Sequence, residues 1–147
     1  MDNIRLVQEI ISLPNETQWV EFKHSNFDPN MIGQDISALA NGAALCERET
    51  AYMVWGVDDK SHEIIGTRLS EFSKTCGNQE LGAWLRQLLS KNAEFEFEEL
   101  EIDGKALVLL TIAKAKAYPV SFKKESYIRN GSYTKRLGEF PNLEAQL

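Results

Sequence analysis

Two groups of residues in this chain have types and spacings suited to chemistry. The first surrounds Glu21 and Lys23. On an extended strand Trp19, Glu21 and Lys23 share one face, and Val20 and Phe22 share the other. A carboxylate and an ammonium can then meet one ligand, or pair with each other. Asp58 and Asp59 follow an apolar run, a common place for site residues in α/β sheets. They equally suit a polar turn whose side chains bond backbone amides. Glu16 is an odd number of residues from Glu21, so a continuous strand would send it to the opposite face. It joins Glu21 only if residues 15–18 turn before the strand begins.

The second group lies near the end of the chain. Tyr127, Arg129, Tyr133, Lys135 and Arg136 interleave rings with cations, a pattern suited to phosphate contacts and base stacking. Lys114, Lys116, Lys123 and Lys124 extend it, with Lys123, Lys124 and Arg129 expected on one rim. Residues 129–132 read as a turn that presents backbone amides. From 105 to 136 the chain carries eight Lys and Arg, counting Lys105, against Glu125 alone, although its net charge is −6. A local positive face on an acidic protein follows; the plainer alternative is a solvated lysine-rich surface.

These groups must be positioned by regular elements. Ile4, Val7, Ile10 and Ile11 recur at helical spacing over residues 3–12, before Pro14. Residues 19–23 read as a strand. A helix follows from Asp28-Pro29-Asn30 to about Leu45, with Ile32, Ile36, Leu39, Ala40 and Ala43 on one face. Its small residues Ala38, Ala40, Gly42, Ala43 and Ala44 allow a close approach to a sheet. Residues 51–57 are apolar almost throughout, as in a strand buried on both faces. A turn at 58–61 and a short return strand at 63–66 come next. Asn78 is placed to cap a helix running to Leu89, with Leu81, Trp84, Leu85 and Leu88 as its apolar stripe. Residues 95–102 alternate, Asp103-Gly104 marks a hairpin, and residues 106–112 form an apolar strand. Short strands are expected at 119–122 and 127–129, and a last helix from Glu139. The expected architecture is α+β, a mixed β-sheet with helices packed on it.

Length and composition bound the rest. The 147 residues fit one domain with one core. No apolar run approaches the ~20 residues needed to cross a bilayer, and the N-terminus lacks a signal-peptide pattern, so no membrane partner and a cytoplasmic location are expected. Cys46 and Cys76 stand apart, with only His24 and His62 as imidazoles; two reduced thiols are expected rather than a zinc site. No G-x-x-x-x-G-K-[ST] occurs, and no Ser-His-Asp or Cys-His pattern is evident, so ATP cradling and nucleophilic hydrolysis are set aside. Trp19, Trp55 and Trp84 read as core, and the histidines as surface or turn residues.

The order of the pieces resembles the Schlafen AlbA-type domain, also labelled a divergent AAA domain. The resemblance is carried by Glu16 with Val20-Glu21-Phe22-Lys23, Ile36-Ser37-Ala38-Leu39-Ala40-Asn41, Val54-Trp55-Gly56-Val57-Asp58-Asp59, Ile65-Gly66, Tyr118-Pro119-Val120 and Tyr127-Ile128-Arg129-Asn130-Gly131-Ser132. It runs from about residue 14 to 137. One departure stands out. Many members follow Ala-Asn with a Gly-Gly pair, whereas here Asn41-Gly42-Ala43-Ala44-Leu45 continues into Cys46-Glu47-Arg48-Glu49, which predicts a longer helix and a charged turn.

The resemblance implies a bacterial DNA- or RNA-binding domain. It would form the N-terminal part of a longer protein, a transcriptional regulator or RecG-helicase-related protein, with further domains C-terminal to it. In the animal relatives the domain resembles a metal-dependent RNA nuclease with three acids. Carried over, Glu16, Glu21 and Asp59 would hold Mg²⁺ or Mn²⁺, and Lys23 would stabilise charge on the phosphate. Three expectations therefore stand: nucleic-acid binding first, a metal-dependent endoribonuclease second, and third a protein-interaction or assembly domain, including a homo-oligomer.

Overall fold

Apolar patterning decides which strands lie at the centre. In the computed structural model, which describes residues 3–13, 18–68, 81–130 and 133–147, the run after Glu49 becomes β2 (Thr50–Trp55). It lies between β1 (Val20–Lys23) and β4 (Lys105–Ala113), with β3 (Phe95–Ile102) beyond β4. The strand order is β1-β2-β4-β3. β1 runs parallel to β2, with Lys23 opposite Trp55, and the other pairs are antiparallel. The sheet is mixed, as expected.

Both faces of this sheet are covered. α1 (Asn3–Ile11) puts Val7 and Ile10 in a cluster with Val20, Phe22, Val54, Leu107 and Leu109. On the other face α2 (Pro29–Leu45) and α3 (Leu81–Leu88) pack Ile32, Ile36, Leu39, Leu81 and Leu85 with Met53, Trp55, Val108, Leu110 and Ile112. Trp55 is fully buried, and Trp19 and Trp84 pack at the edges of these clusters. β3 serves both: Phe95 and Phe97 face α2 and α3, while Leu100 and Ile102 turn to the α1 side. Its exposed Glu96, Glu98, Glu99 and Glu101 make this sheet edge acidic, which discourages edge-to-edge pairing.

A second sheet, in the order β5-β6-β7, packs against α2. Its strands are β5 (Ser121–Phe122), β6 (Glu125–Asn130) and β7 (Tyr133–Arg136). α2 therefore lies between two sheets, and its small residues make this possible. A Cβ on Gly42 would stand 2.1 Å from the Gln18 carbonyl oxygen, and one on Gly33 would stand 2.2 Å from the Phe122 ring. Asp28 caps α2 by accepting from the Asn30 amide. The helix continues to Leu45, and Glu47 turns the chain with φ 56°. This is the longer helix and charged turn that the absent Gly-Gly pair predicts.

Some elements differ from expectation. The return strand at 63–66 reduces to one bridge, Val57 to Ile64. Residues 133–136 form a strand that their mixed aromatic and basic composition did not announce. The last helix is a 3₁₀ turn (Leu137–Glu139) followed by α4 (Pro141–Glu144). Asn78 and Cys76 lie outside the described residues. No helix among the described residues is long and apolar enough to cross a membrane.

Candidate functional site

Strand alternation sends Val20 and Phe22 towards α1, and Glu21 and Lys23 towards α2. The two charges meet there, with Lys23 Nζ 3.2 Å from Glu21 Oε2. They are not alone. Arg129, from β6 in the second sheet, brings its Nη2 to 2.5 Å from Glu21 Oε1. Both side chains are buried, Arg129 at 2% exposure and Glu21 at 6%. The contact is an ion pair whose angles fall outside hydrogen-bond geometry, so Glu21 Oε1 and Arg129 Nε and Nη2 have no aligned partner among the described residues.

A second carboxylate joins from α2. Asp35 is buried on the inward side of the helix and accepts a 2.9 Å hydrogen bond from Thr134 of β7. Its Oδ2 has no hydrogen-bond partner among the described residues. Burial pushes the Asp35 carboxyl up to about 6; Lys23 opposes the rise and Glu21 adds to it. Glu21, Lys23, Asp35, Arg129 and Thr134 thus form a charged seam between the two sheets.

Asp58 and Asp59 go elsewhere. Asp58 accepts from the Lys60 and Ser61 amides at 2.9 and 2.8 Å, which holds its carboxyl below the usual range. Asp59 is exposed in the same turn. That turn docks through His62, whose ring lies 4.6 Å from Phe22 and whose Nδ1 is 3.2 Å from the Ile11 carbonyl oxygen. Phe22 faces α1, the side of β1 away from Glu21. Glu16 lies outside the described residues. Among the described residues no group of three His, Cys, Asp or Glu is placed to hold a metal ion. The Glu21 carboxylate already faces two cations, which opposes a divalent ion beside it. The described donor set does not fit Mg²⁺ or Mn²⁺.

A neutral seam runs along the same helix. Ser37 Oγ donates to Val120 O at 2.6 Å and accepts from the Tyr127 amide at 2.9 Å. One turn on, Asn41 Nδ2 donates to Val120 O and Tyr127 O at 3.1 and 2.9 Å, and its Oδ1 accepts from Val120 N at 2.9 Å. These side chains attach the second sheet to α2. Sequence reasoning gave Ser37, Asn41, Asp35 and Thr134 no role. For the three on α2 the available signal was polarity at helix positions flanked by Ile32, Ile36, Leu39 and Ala40.

The basic segment is spread over several surfaces. Lys114 pairs with Glu49 at 3.0 Å, and Lys116 is exposed just beyond, at the end of β4 opposite Lys105. Arg129 lies inside the seam rather than on a rim with Lys123 and Lys124. Strand register divides the aromatic-basic motif. Tyr127 sits opposite Arg136 and Arg129 opposite Thr134, all on the side that meets α2. Tyr133 and Lys135 take the other side, with Tyr133 68% exposed and Lys135 Nζ 5.8 Å from its ring centroid. Lys123 and Lys124 form the tip of the β5–β6 hairpin, with φ of 51° and 68°. Lys123 Nζ bonds Asn30 Oδ1 at 2.5 Å and lies 5.8 Å from the Trp84 ring. Gly131 and Ser132 lie outside the described residues.

A mixed sheet, a central helix and a second small sheet joined by a charged seam define an α+β domain of Schlafen AlbA architecture. The family model described as "Schlafen, AlbA_2" matches residues 16–138, and the chain belongs to that family. Among solved structures it is similar to the crystal structure of the DIP2311 protein from Corynebacterium diphtheriae, with 15% identity and a TM-score of 0.57. That likeness covers 90% of this chain and 26% of the other, so this chain spans about a quarter of the DIP2311 protein. No curated protein matches the chain.

Proposed function

We propose that this domain binds nucleic acid through the basic tip of the β5–β6 hairpin and the exposed ring of β7. The observation that carries this reading is the backbone at Lys123 and Lys124. Both residues have positive φ in a two-residue hairpin, a conformation that favours Asn-Gly and costs other L-residues about 1 kcal/mol each. The β3–β4 hairpin places Asp103 and Gly104 at the same kind of tip, with φ of 53° and 77°. Lysines at such positions forgo local stability to present two cations. Strained residues of this kind often mark function. Tyr133 and Lys135 add an exposed ring and cation on the same small sheet, suited to stacking and phosphate contact. Membership of the AlbA_2 family supports the same reading. A place at the head of a longer regulator belongs to this proposal as well. The nuclease reading finds no donor cluster among the described residues.

The test is the double variant Lys123→Asn/Lys124→Gly, titrated with single- and double-stranded RNA and DNA at 50 and 200 mM salt. Loss of two phosphate contacts should weaken binding and reduce the salt slope by about two. The melting temperature should change little, because the turn gains its preferred residues and loses the Lys123 contacts with Asn30 and the Trp84 ring. A purely structural role for the tip predicts unchanged affinity. No binding of any probe at low salt defeats the proposal.

A further inference from the structure

A small pocket lies where α3 ends against the start of β3. Arg86, Leu89, Ser90, Lys91, Ala93 and Phe95 line it, and its volume is about 200 Å³. Leu89 is buried and Ala93 and Phe95 are half-buried, which makes the inner wall apolar. Arg86 and Lys91 are exposed, and among the described residues neither is in an ion pair. The Arg86 guanidinium carbon lies 4.8 Å from the Phe95 ring centroid. A Cβ on Gly82, one turn earlier on α3, would come within 3.1 Å of Arg86 Nη1, so the bare glycine leaves room for the guanidinium. The turn that carries Lys91 is fixed as well. Ser90 Oγ donates to Asn92 Oδ1 at 2.6 Å and accepts from the Ser121 amide at 3.0 Å. Asn92 Nδ2 donates to the Lys116 and Tyr118 carbonyl oxygens at 3.1 and 2.7 Å. These bonds hold the wall in place before anything enters.

Size and position narrow what can occupy it. Sites for whole small molecules span ~300–1,000 Å³, so this pocket takes one group of something larger. The Lys123 amide donates to the Leu88 carbonyl oxygen at 2.9 Å, and Leu89 bridges Phe122. The pocket and the basic hairpin tip therefore flank the same end of α3, and one bound chain can reach both. A nucleotide joins a flat, largely apolar ring to a negative charge. The ring would meet Phe95 and the Arg86 guanidinium, two kinds of surface on which unstacked bases pack. Lys91 would face the phosphate. A base within a duplex is paired and stacked, and would have to leave the helix to enter. Glu94 is exposed beside the pocket without lining it, and Glu96 alternates to the other face of β3. We propose that the domain takes nucleic acid as a single strand and holds one unstacked base in the pocket between Arg86 and Phe95. This rests on the hairpin reading and adds to it the form of the strand.

Fluorescence anisotropy titration of the whole chain tests this with three probes of equal length: a single strand, a sugar-phosphate strand without bases, and a duplex. The natural single strand should bind roughly tenfold more tightly than the base-free one, the gain of about one stacked base. Phe95→Leu keeps the apolar bulk and loses the ring. It should erase most of that preference and leave duplex affinity unchanged. Arg86→Gln, at an exposed position, should also reduce the preference and guards against misfolding of Phe95→Leu. Lys91→Gln should weaken all three probes alike. Equal binding of the two single strands overturns the proposal. So does a preference that survives both Phe95→Leu and Arg86→Gln, which would belong to Tyr133. Lys123→Asn/Lys124→Gly separates the two readings. If that variant loses affinity while Phe95→Leu and Arg86→Gln change nothing, the pocket alone fails. If it binds as before while Phe95→Leu loses the base preference, the hairpin alone fails. No binding of any probe overturns both.

Discussion

α2 carries two polar seams towards the second sheet, and they are satisfied to different degrees. Ser37 and Asn41 are buried and neutral, and each bonds main-chain groups of Val120 and Tyr127. Glu21, Asp35 and Arg129 are buried and charged, yet four of their polar atoms have no hydrogen-bond partner among the described residues. A fully bonded neutral seam fixes one arrangement of helix and sheet. A charged seam with open valences is held mainly by Coulombic attraction, beside the one hydrogen bond from Thr134 to Asp35, and most of that attraction is spent against desolvation. The first seam behaves as joinery. The second resembles a set of charges kept in place at a cost in stability.

Removing charges should expose that difference most sharply. Arg129→Met leaves Glu21 buried with Lys23 alone and should cost about 3–5 kcal/mol. Glu21→Met/Arg129→Met should recover most of this loss, because the pair leaves together. Urea unfolding midpoints for the single and double variants measure the coupling. Additive losses would show that the two groups do not interact.

In the neutral seam the outcome should reverse, with no rescue available. Asn41→Leu strands the Val120 amide and the Tyr127 carbonyl and should cost about 3 kcal/mol. Ser37→Ala strands the Tyr127 amide and should cost about 1–2 kcal/mol. If Asn41→Leu were neutral by the same denaturation assay, the bonding described for it would be wrong.

Neutralising Asp35 should instead stabilise, by an amount set by pH. The folded pKa of Asp35, about 6, exceeds the ordinary aspartate value of 3.8. The folded state therefore holds the proton more tightly, and stability falls as pH rises from about 4 to about 6. Above that window the loss is constant, on the order of 3 kcal/mol. Asp35→Asn should restore up to that amount at pH 8, less at pH 5, and almost nothing below pH 4. Melting curves across pH decide it; a gain independent of pH would assign the effect to packing.

Local rules made the sheet-forming elements legible. The Asp103-Gly104 hairpin, the apolar runs of β2 and β4 and the helical stripe of α2 each follow from short-range pattern. Parity on β1 also paired Glu21 with Lys23 correctly. The partners of that pair were not legible, because Arg129 and Thr134 reach it from the other end of the chain. Arg129 reads as a surface cation in a run of lysines; only its place beside Ile128 on a strand hinted at burial. Tyr133 and Tyr127 look equivalent in the motif, but strand register places them on opposite sides.

The ion pair between Glu21 and Arg129 also bears on the order in which the chain can fold. β1, α2 and β2 are translated first, and their contacts close early along the sequence. Until Arg129 leaves the ribosome, however, Glu21 faces α2 with Lys23 as its counter-charge and without the cation from β6. The nascent first half therefore carries an acid that favours water over its native place. Docking of β1 against α2 should wait for β6, so the first sheet and its central helix complete their packing only once the chain has been made as far as Arg129.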